Sequence, residues 1–327
     1  MEKENFIDFS DLEVVALAGG VGGAKLAHGL SMVLPDENLT VIVNTGDDFM
    51  HMGLFISPDI DTVTYTLSAK ANPDSGWGLV NETWNTLEAV NKLGGPAWFQ
   101  VGDQDLATHL VRTELLGKGL NLTQVTQYFC ERWGIRVRVL PMSNDPVRTI
   151  VFTKDGRQLA FQEYFVKERF EPPVKEFSFE GVEGARLTAE VSSAIYQADL
   201  VCICPSNPWV SIDPMLSIPG FRQLLKNKMI VAVSPIVGGK ALKGPAAKMY
   251  QDLGIEPGVE AVAEHYTGLI RGMVIDEIDS AKADLLIARG LLPMVTNTIM
   301  KSDADRAALA AQTLKLAIDL TVRAMHQ

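Results

Sequence analysis

What the chain has little of narrows its function first. It holds three cysteines and five histidines in 327 residues, and neither type recurs at the spacing of a zinc motif. Cys130 stands alone, while Cys202 and Cys204 sit in the apolar run VCICPSNP, so all three are expected to be reduced core residues. Positive charge is also scarce. Asp and Glu number 40 against 29 Lys and Arg, a net charge of −11, which argues against the clustered basic surface of a nucleic-acid-binding protein and leaves room for local cationic pockets. No stretch reaches the roughly 20 apolar residues of a spanning helix. The opening MEKENFIDFS carries charges where a signal peptide needs an apolar run. A cytoplasmic enzyme or binding protein without nucleic-acid or membrane partners is the expectation. Repeats and low-complexity tracts are missing, as are the G-x-G-x-x-G and G-x-x-x-x-G-K-[ST] fingerprints.

What is present points to an α/β fold. With 47% of its residues hydrophobic, the chain can bury a large core. Residues 13–18 form a short apolar run ending in Gly19, Gly20, Gly22 and Gly23, and Leu26, Leu30 and Val33 then recur at helical spacing; the pattern is strand, tight turn, helix. LTVIVNTGDD gives a second buried strand with its polar residues at the C-terminal end, the edge where open α/β sheets bind ligands. Residues 61–133 are mainly helical and carry Trp77, Trp84, Trp98 and Trp133. RVRVLPMS and RTIVFTKDGRQLAFQEYFV alternate apolar and polar residues, with Asp155-Gly156 as a hairpin turn, which predicts a small antiparallel excursion. A helix over residues 189–197 precedes the strand of DLVCICPSNP, and KMIVAVSPIVGG repeats that strand-then-polar-loop arrangement. LLPMVTNTIM predicts a last strand, with Asp303 capping a helix from Ala304 onward.

Four places carry chemistry. The turn GGVGGAK puts backbone amides and a helix N-terminus where an anionic phosphate can approach, with Lys25 as a point charge; a merely tight turn fits the same residues. NTGDD and SPDIDT bring Asn44, Thr45, Asp47, Asp48, Asp59 and Asp61 together, hard oxygen donors suited to Mg²⁺ or to holding an alcohol nucleophile. Capping of turns and helices is the competing role, expected for two of the four aspartates. WFQVGDQDLATHL offers Asp103, Asp105, Thr108 and His109, where a capped helix start and a structural histidine are the expectation. SNPWVSIDPML and SPIVGGKALKGPAAK concentrate Ser, Asn, Gly and the lysines Lys240, Lys243 and Lys248; Lys243, flanked by Gly-Pro, is the one expected at a ligand.

In this order, the segments resemble the 2-phospho-L-lactate transferase family, including its bacterial phosphoenolpyruvate-using members. The carriers are LAGGVGGAK, VNTGDD, SPDIDTVTYTL, GWG with NETW, WFQVGDQDLATHLVRT, LPMSNDPVRT, FQEYFV, PSNPWVSI, SIPGFR and VAVSPIVGGKALKGPAAK, and they run nearly end to end. The resemblance implies a Rossmann-like three-layer α/β core with a mainly parallel sheet, a helical insertion and a small antiparallel excursion. Residues 1–327 are then a single catalytic unit: 10–60 and 190–300 the nucleotide-binding core, 61–135 the helical insert, 136–188 the antiparallel excursion. It implies a homodimer that uses Mg²⁺ to move a 2-phospholactyl or enolpyruvyl-phosphate group from a guanosine-diphosphate-activated acid to Fo, 7,8-didemethyl-8-hydroxy-5-deazariboflavin, with GMP leaving. By position, Gly19, Gly20, Gly22, Gly23, Lys25, Ser206, Asn207, Pro208 and Lys243 would hold the nucleotide, and Asn44, Thr45, Asp61 and Asp103 would hold Fo. Asp47, Asp48 and Asp61 would bind Mg²⁺, with Asp48 and Asp61 catalytic, and the tryptophans would cover the flat deazaflavin. Members often carry Arg where this chain has Gln104, which removes a cationic contact that Lys92, Arg112 or Arg148 would have to replace. A non-catalytic nucleotide-sugar-binding regulator sharing the glycine turn and the Ser-Asn-Pro loop, and a generic dehydrogenase, are the alternatives; the acids of NTGDD and SPDIDT and the GDQDLATH segment count against the first, the missing fingerprint against the second.

Overall fold

Seven short strands build the central sheet of the computed structural model, which describes residues 9–325. The first eight residues, most of the charged opening MEKENFIDFS, lie outside the described residues. In chain order the strands are β1 (Val14–Ala18), β2 (Leu39–Val43), β3 (Arg138–Pro141), β4 (Leu200–Ile203), β5 (Met229–Val233), β6 (Gly272–Asp276) and β7 (Leu292–Thr296). They lie in the order β7-β6-β5-β4-β1-β2-β3, every neighbouring pair parallel. This is the doubly wound arrangement with a seventh strand added, and its topological switch point falls between β1 and β4. Register brings the C-terminal ends level: Ala18 pairs with Val43 and Leu17 with Ile203. β1, β2 and β4 are buried along their whole length, which is why they read as unbroken apolar runs.

Strand alternation sends the core to both faces. Val14, Ala16 and Ala18 pack with Leu26 and Leu30 of helix α1 (Gly20–Val33) and with Leu309 and Leu314 of the C-terminal helix Asp303–Met325. Val15 and Leu17 face the other way, onto Val191 and Ile195 of the helix Ala189–Gln197 and onto Ile212, Met215 and Phe221. Where α1 crosses the C-terminal helix, a Cβ on Gly29 would come within 2.2 Å of the Arg306 carbonyl oxygen, so only glycine permits this approach.

Helices α2 (Pro58–Leu67), α3 (Asn85–Lys92), α4 (Asp103–Gly117) and α5 (Leu122–Trp133) follow β2. A capping box of Asn121 and Gln124 starts α5, and Gly134 in the left-handed region (φ 68°) ends it. Trp133 stacks on Phe129 at 5.0 Å and meets Tyr65 edge-on at 5.4 Å, joining α5 to α2. Among the described residues no helix is long and apolar enough to cross a membrane.

The structure departs from the sequence pattern at four places. Arg138–Pro141, grouped by its alternation with the antiparallel hairpin, instead pairs in parallel with β2 as an edge strand; an exposed Arg138 beside three buried residues mimics a hairpin strand. Arg148–Thr153 does pair antiparallel with Gln158–Ala160 and Val174–Glu180 around the Asp155-Gly156 turn, with Gly156 at φ 87°. FQEYFV, however, is helical, because Phe161, Tyr164 and Phe165 fall at i, i+3 and i+4 and the two Phe rings stack at 5.5 Å. The strand β6 is an addition to the expected strands: it is fully buried, but its apolar run is only Met273 to Ile275, between Gly272 and Asp276. Finally, the cap of the C-terminal helix is Ser302, not Asp303: Ser302 Oγ accepts from Asp305 N (3.2 Å) and Asp305 Oδ2 accepts from Ser302 N (2.8 Å). Ser302→Ala is expected to cost about 1 kcal/mol in urea unfolding, and Asp303→Ala markedly less.

Candidate functional site

At the switch point the glycine turn and the Ser-Asn-Pro loop are packed into each other. Ser206 Oγ accepts from Gly19 N (3.0 Å) and donates to Gly19 O (2.9 Å). A Cβ on Gly22 would lie 2.3 Å from Pro205 O, and one on Gly23 2.6 Å from Ser206 Oγ, so these glycines are required by close approach whatever else they do. Asn207 turns inward: its Oδ1 accepts from Trp209 N (3.1 Å) and its amide reaches Met249 Sδ (3.2 Å), and the next residue, Pro208, is buried. Gly20, at φ 64°, opens α1 and donates its N–H to Asp59 Oδ1 at 2.7 Å. The N-cap, Gly19, has no side chain to offer, and Asp59 takes the first amide, so any anion at this helix start would meet the amides that follow Gly20. Gly22→Ala is expected to destabilise the fold by about 1–3 kcal/mol, the usual range for overpacking, because its neighbour is a backbone carbonyl that cannot swing away; thermal denaturation checks this.

Beside that turn, the loop after β2 buries its acids. Asp47 is 6% exposed, and Asp48 Oδ1 accepts from Ser57 Oγ at 2.7 Å. Asp47 Oδ1, Asp48 Oδ2 and the hydroxyl of Thr45 are buried and make no hydrogen bond. Burial pushes both carboxyls well above the ordinary range; Asp59 and Asp48 add to the rise at Asp47, whereas Ser57 and Arg112 oppose it at Asp48. Asp59 is raised by burial to about 6, against the pull of its bonds from Asn44 and Gly20. Asp47 and Asp48 each keep one buried oxygen without a partner, and two hard oxygens on adjacent residues fit Mg²⁺, whose charge would favour the ionised forms that burial alone opposes.

Asp61 has different partners. Both of its oxygens lie in the guanidinium fork of Arg112, through Nη1 (3.0 Å) and Nη2, and Arg112 is 1% exposed. Arg112 Nη1 also lies 3.2 Å from His109 Nδ1. Since an arginine only donates, Nδ1 must accept, which places the imidazole proton on Nε2, 3.4 Å from Asp105 Oδ2. Tyr65 OH closes the chain on Asp105 Oδ1 at 2.6 Å. Burial raises Asp105, but His109 close beside it and the hydrogen bond from Tyr65 outweigh that and hold it below its ordinary value. Ligand atoms of Asp61, Asp105 and His109 lie within 4.8 Å of one another, yet a ligating imidazole nitrogen must be bare, so Nε2 can bind only with the proton on Nδ1, where Arg112 donates. The cluster is a buried ion-pair network, with Asp61 committed to Arg112.

Asp103 is likewise engaged: it accepts from Thr83 Oγ1 (2.5 Å), Asn85 N (3.1 Å), Asn85 Nδ2 (3.0 Å) and Thr86 N (3.0 Å), capping α3. These bonds, Thr83 foremost, hold its carboxyl far below the ordinary range. Gln104 Nε2 donates to Asn81 O (2.9 Å), while Glu82 caps α4 by accepting from Gln104 N (2.8 Å) and Asp105 N (2.7 Å). Asn44 is also fully committed: its amide donates to Asp59 Oδ2 and Val210 O, and its Oδ1 accepts from Gly46 N.

Lys25 donates to Met300 O (2.9 Å) and Lys243 to Ser75 O (2.7 Å). Burial holds Lys25 below its ordinary value, with Arg306 and Lys243 adding to the effect, so the three cations share one region beside α1. Nothing in the sequence marks Arg306, because only the crossing at Gly29 brings it there. Directly after Asp48, Phe49 and His51 group with Trp98 and Phe99, at 4.9 Å for Phe49–Phe99 and 5.3 Å for His51–Trp98. Trp77 and Trp84 stay 45% and 38% exposed.

Fold and site together define a doubly wound α/β protein whose switch point joins a glycine-rich helix start to two adjacent acids that each keep a buried oxygen without a partner. The chain belongs to the 2-phospho-L-lactate transferase CofD family, whose model matches residues 14–312. It is 42% identical to a phosphoenolpyruvate transferase of Streptomyces griseus, over 94% of this chain and 98% of that protein. It is 38% identical to a 2-phospho-L-lactate transferase of Methanosarcina mazei, over 91% and 98%. It is thus an enzyme of the 2-phospho-L-lactate or phosphoenolpyruvate transferase type. A crystal structure of a UPF0052 family protein from Bacillus halodurans superposes with a TM-score of 0.62 at 17% identity, covering 93% of this chain and 98% of that one, a likeness of fold alone.

Proposed function

We propose that the enzyme moves a 2-phospholactyl or enolpyruvyl-phosphate group from a guanosine-diphosphate-activated donor to the terminal ribityl hydroxyl of Fo, giving F-420-0 or its dehydro form and GMP. The observation that carries this reading is the pair of buried, unpartnered oxygens of Asp47 and Asp48 beside the helix start. They would hold Mg²⁺, which when bound supplies positive charge to the phosphate undergoing transfer. Asp61 joins them less directly, since its oxygens are in the Arg112 fork; its part is to fix the charge and shape of the wall beside Asp48.

The chain's own residues then divide the work. The first turn of α1 binds the donor's phosphates through backbone amides, and Lys25 and Lys243 add positive charge. Ser206, Asn207 and Pro208 shape the opposite wall, Ser206 by clamping Gly19. The Thr45 hydroxyl would hydrogen-bond the ribityl chain, a role supported by its being buried without a partner, with Asn44 fixing its loop. The ring of Fo lies on the group formed by Phe49, Trp98 and Phe99; Asp103 supports that side by anchoring α3. In the transfer, the ribityl oxygen forms a bond to the phosphorus bearing the acid, the bond from that phosphorus to the GMP oxygen breaks, and the hydroxyl proton leaves to a neighbouring base. A homodimer in the cytoplasm completes the proposal. Equilibrium dialysis of Fo against the purified protein with Mg²⁺ tests it: saturable one-to-one binding is expected, and no binding at any attainable Fo concentration defeats the reading.

A further inference from the structure

Asp59 and Asn44 perform no step of the chemistry proposed above, yet their side chains join the separate pieces of the sheet mouth. Asp59, in the first turn of α2, accepts from Gly20 N (2.7 Å) through Oδ1 and from Asn44 Nδ2 (2.9 Å) through Oδ2. Asn44, at the end of β2, gives its other amide hydrogen to Val210 O (3.2 Å), in the turn that follows Ser206, Asn207 and Pro208. Its Oδ1 accepts from Gly46 N (2.9 Å), one residue before Asp47. Asn44 is 0% exposed and Asp59 6%. A Cβ on Gly19 would fall 2.7 Å from both Asp59 Oδ2 and Ser211 Cβ, so the glycine turn is pressed against this pair without slack. Gly46 is equally confined, since a Cβ there would meet Thr149 Oγ1 at 2.7 Å and Asn44 Oδ1 at 3.0 Å.

From this geometry we infer that Asp59 and Asn44 are positioning residues that couple the two halves of the site: the glycine turn with its facing loop, and the loop of Asp47 and Asp48. The inference rests on the proposed reading of those halves as nucleotide and cation sites. A nucleotide that orders the start of α1 fixes Gly20, and through Asp59 and Asn44 it fixes the Gly46 amide that leads into the acids. The ordering of that loop is then already complete when a cation binds, so each ligand tightens the other. By linkage, the factor is the same in both directions.

Calorimetric titration of GMP into the holoprotein at saturating Mg²⁺, and into metal-free protein, tests this. In the unmodified protein Mg²⁺ is expected to tighten GMP by about fivefold or more, the lower end of ordinary coupling. In Asn44→Ala the factor falls below about twofold, while GMP and Mg²⁺ each still bind alone. Asp59→Asn is the second variant, should Asn44→Ala fail to fold: it keeps an acceptor for Gly20 N but sets an amide against the amide of Asn44, and the same loss is expected. If the variants retain the full factor, the coupling arises from direct cation–phosphate contact and the inference is overturned. An unmodified protein that binds both ligands with a factor near one overturns it alone; one that binds neither GMP nor Mg²⁺ defeats the functional reading and this inference with it.

Discussion

Asp48→Asn is expected to lower turnover by at least ~10²-fold, the size that follows when charge organisation around a transferred phosphate is lost. The substitution is expected to leave the fold in place. The amide side chain keeps an acceptor for Ser57 Oγ, which bonds Asp48 Oδ1 at 2.7 Å, and it replaces a carboxylate whose ionisation is opposed by burial. The metal-free Asp48→Asn variant is therefore expected to melt no lower than the unmodified protein, while the rise in melting temperature expected when Mg²⁺ is added to the unmodified protein is mostly lost in the variant. Asp47→Asn follows the same pattern, its Oδ1 being equally buried and unpartnered. Release of GMP under saturating substrates reads the first effect and calorimetric melting the second. Unmodified turnover in the Asp48→Asn variant would remove Asp48 from the site.

Arg112→Met is expected to destabilise the protein by about 3–5 kcal/mol, the usual cost of breaking a buried ion pair from one side. Arg112 is 1% exposed, holds both oxygens of Asp61 and donates to His109. Removing it leaves Asp61 at 5% exposure without its counter-charge. The double variant Asp61→Asn/Arg112→Met is expected to recover a substantial part of the loss, because removing a whole buried pair costs far less than orphaning one member. Urea unfolding of the two variants separates the cases. A loss under about 1 kcal/mol in the single variant would contradict the ionised, buried fork.

The sequence carries the parts of this site that are local and withholds those that depend on distant partners. Fully buried strands such as β1 and β4 announce themselves as apolar runs, and the polar residues after β2 mark the binding edge without any knowledge of tertiary contacts. Arg138–Pro141 misleads because the alternation lies where the chain enters the strand, with Arg136 and Arg138 exposed and Val137 and Val139 buried, while Val139, Leu140 and Pro141 are all buried in the parallel pairing. The acids of SPDIDT look equivalent in sequence. Only the fold separates Asp59, which ties the start of α1 to Asn44, from Asp61, which meets an arginine 51 positions away. The glycines read as space for a phosphate, yet Gly22 and Gly23 are also forced by the carbonyl of Pro205 and the hydroxyl of Ser206, which arrive from the far side of the switch point. Asp103 and Gln104 show the same limit: their partners, Asn85, Thr86 and Asn81, lie in an earlier stretch that sequence spacing does not connect to them.

Phospholactyl and enolpyruvyl donors differ by one degree of saturation in a three-carbon acid, and Gln104, spent on the carbonyls of Asn81 and Val80, supplies no charge to choose between them. Mass spectrometry of the products formed by purified protein from Fo, Mg²⁺ and the two guanylylated donors in competition therefore tests the central claim most directly. The account predicts F-420-0, its dehydro form, or both, with one GMP released per acceptor consumed. Intact Fo and intact donors after prolonged incubation with folded, Mg²⁺-loaded protein would contradict it.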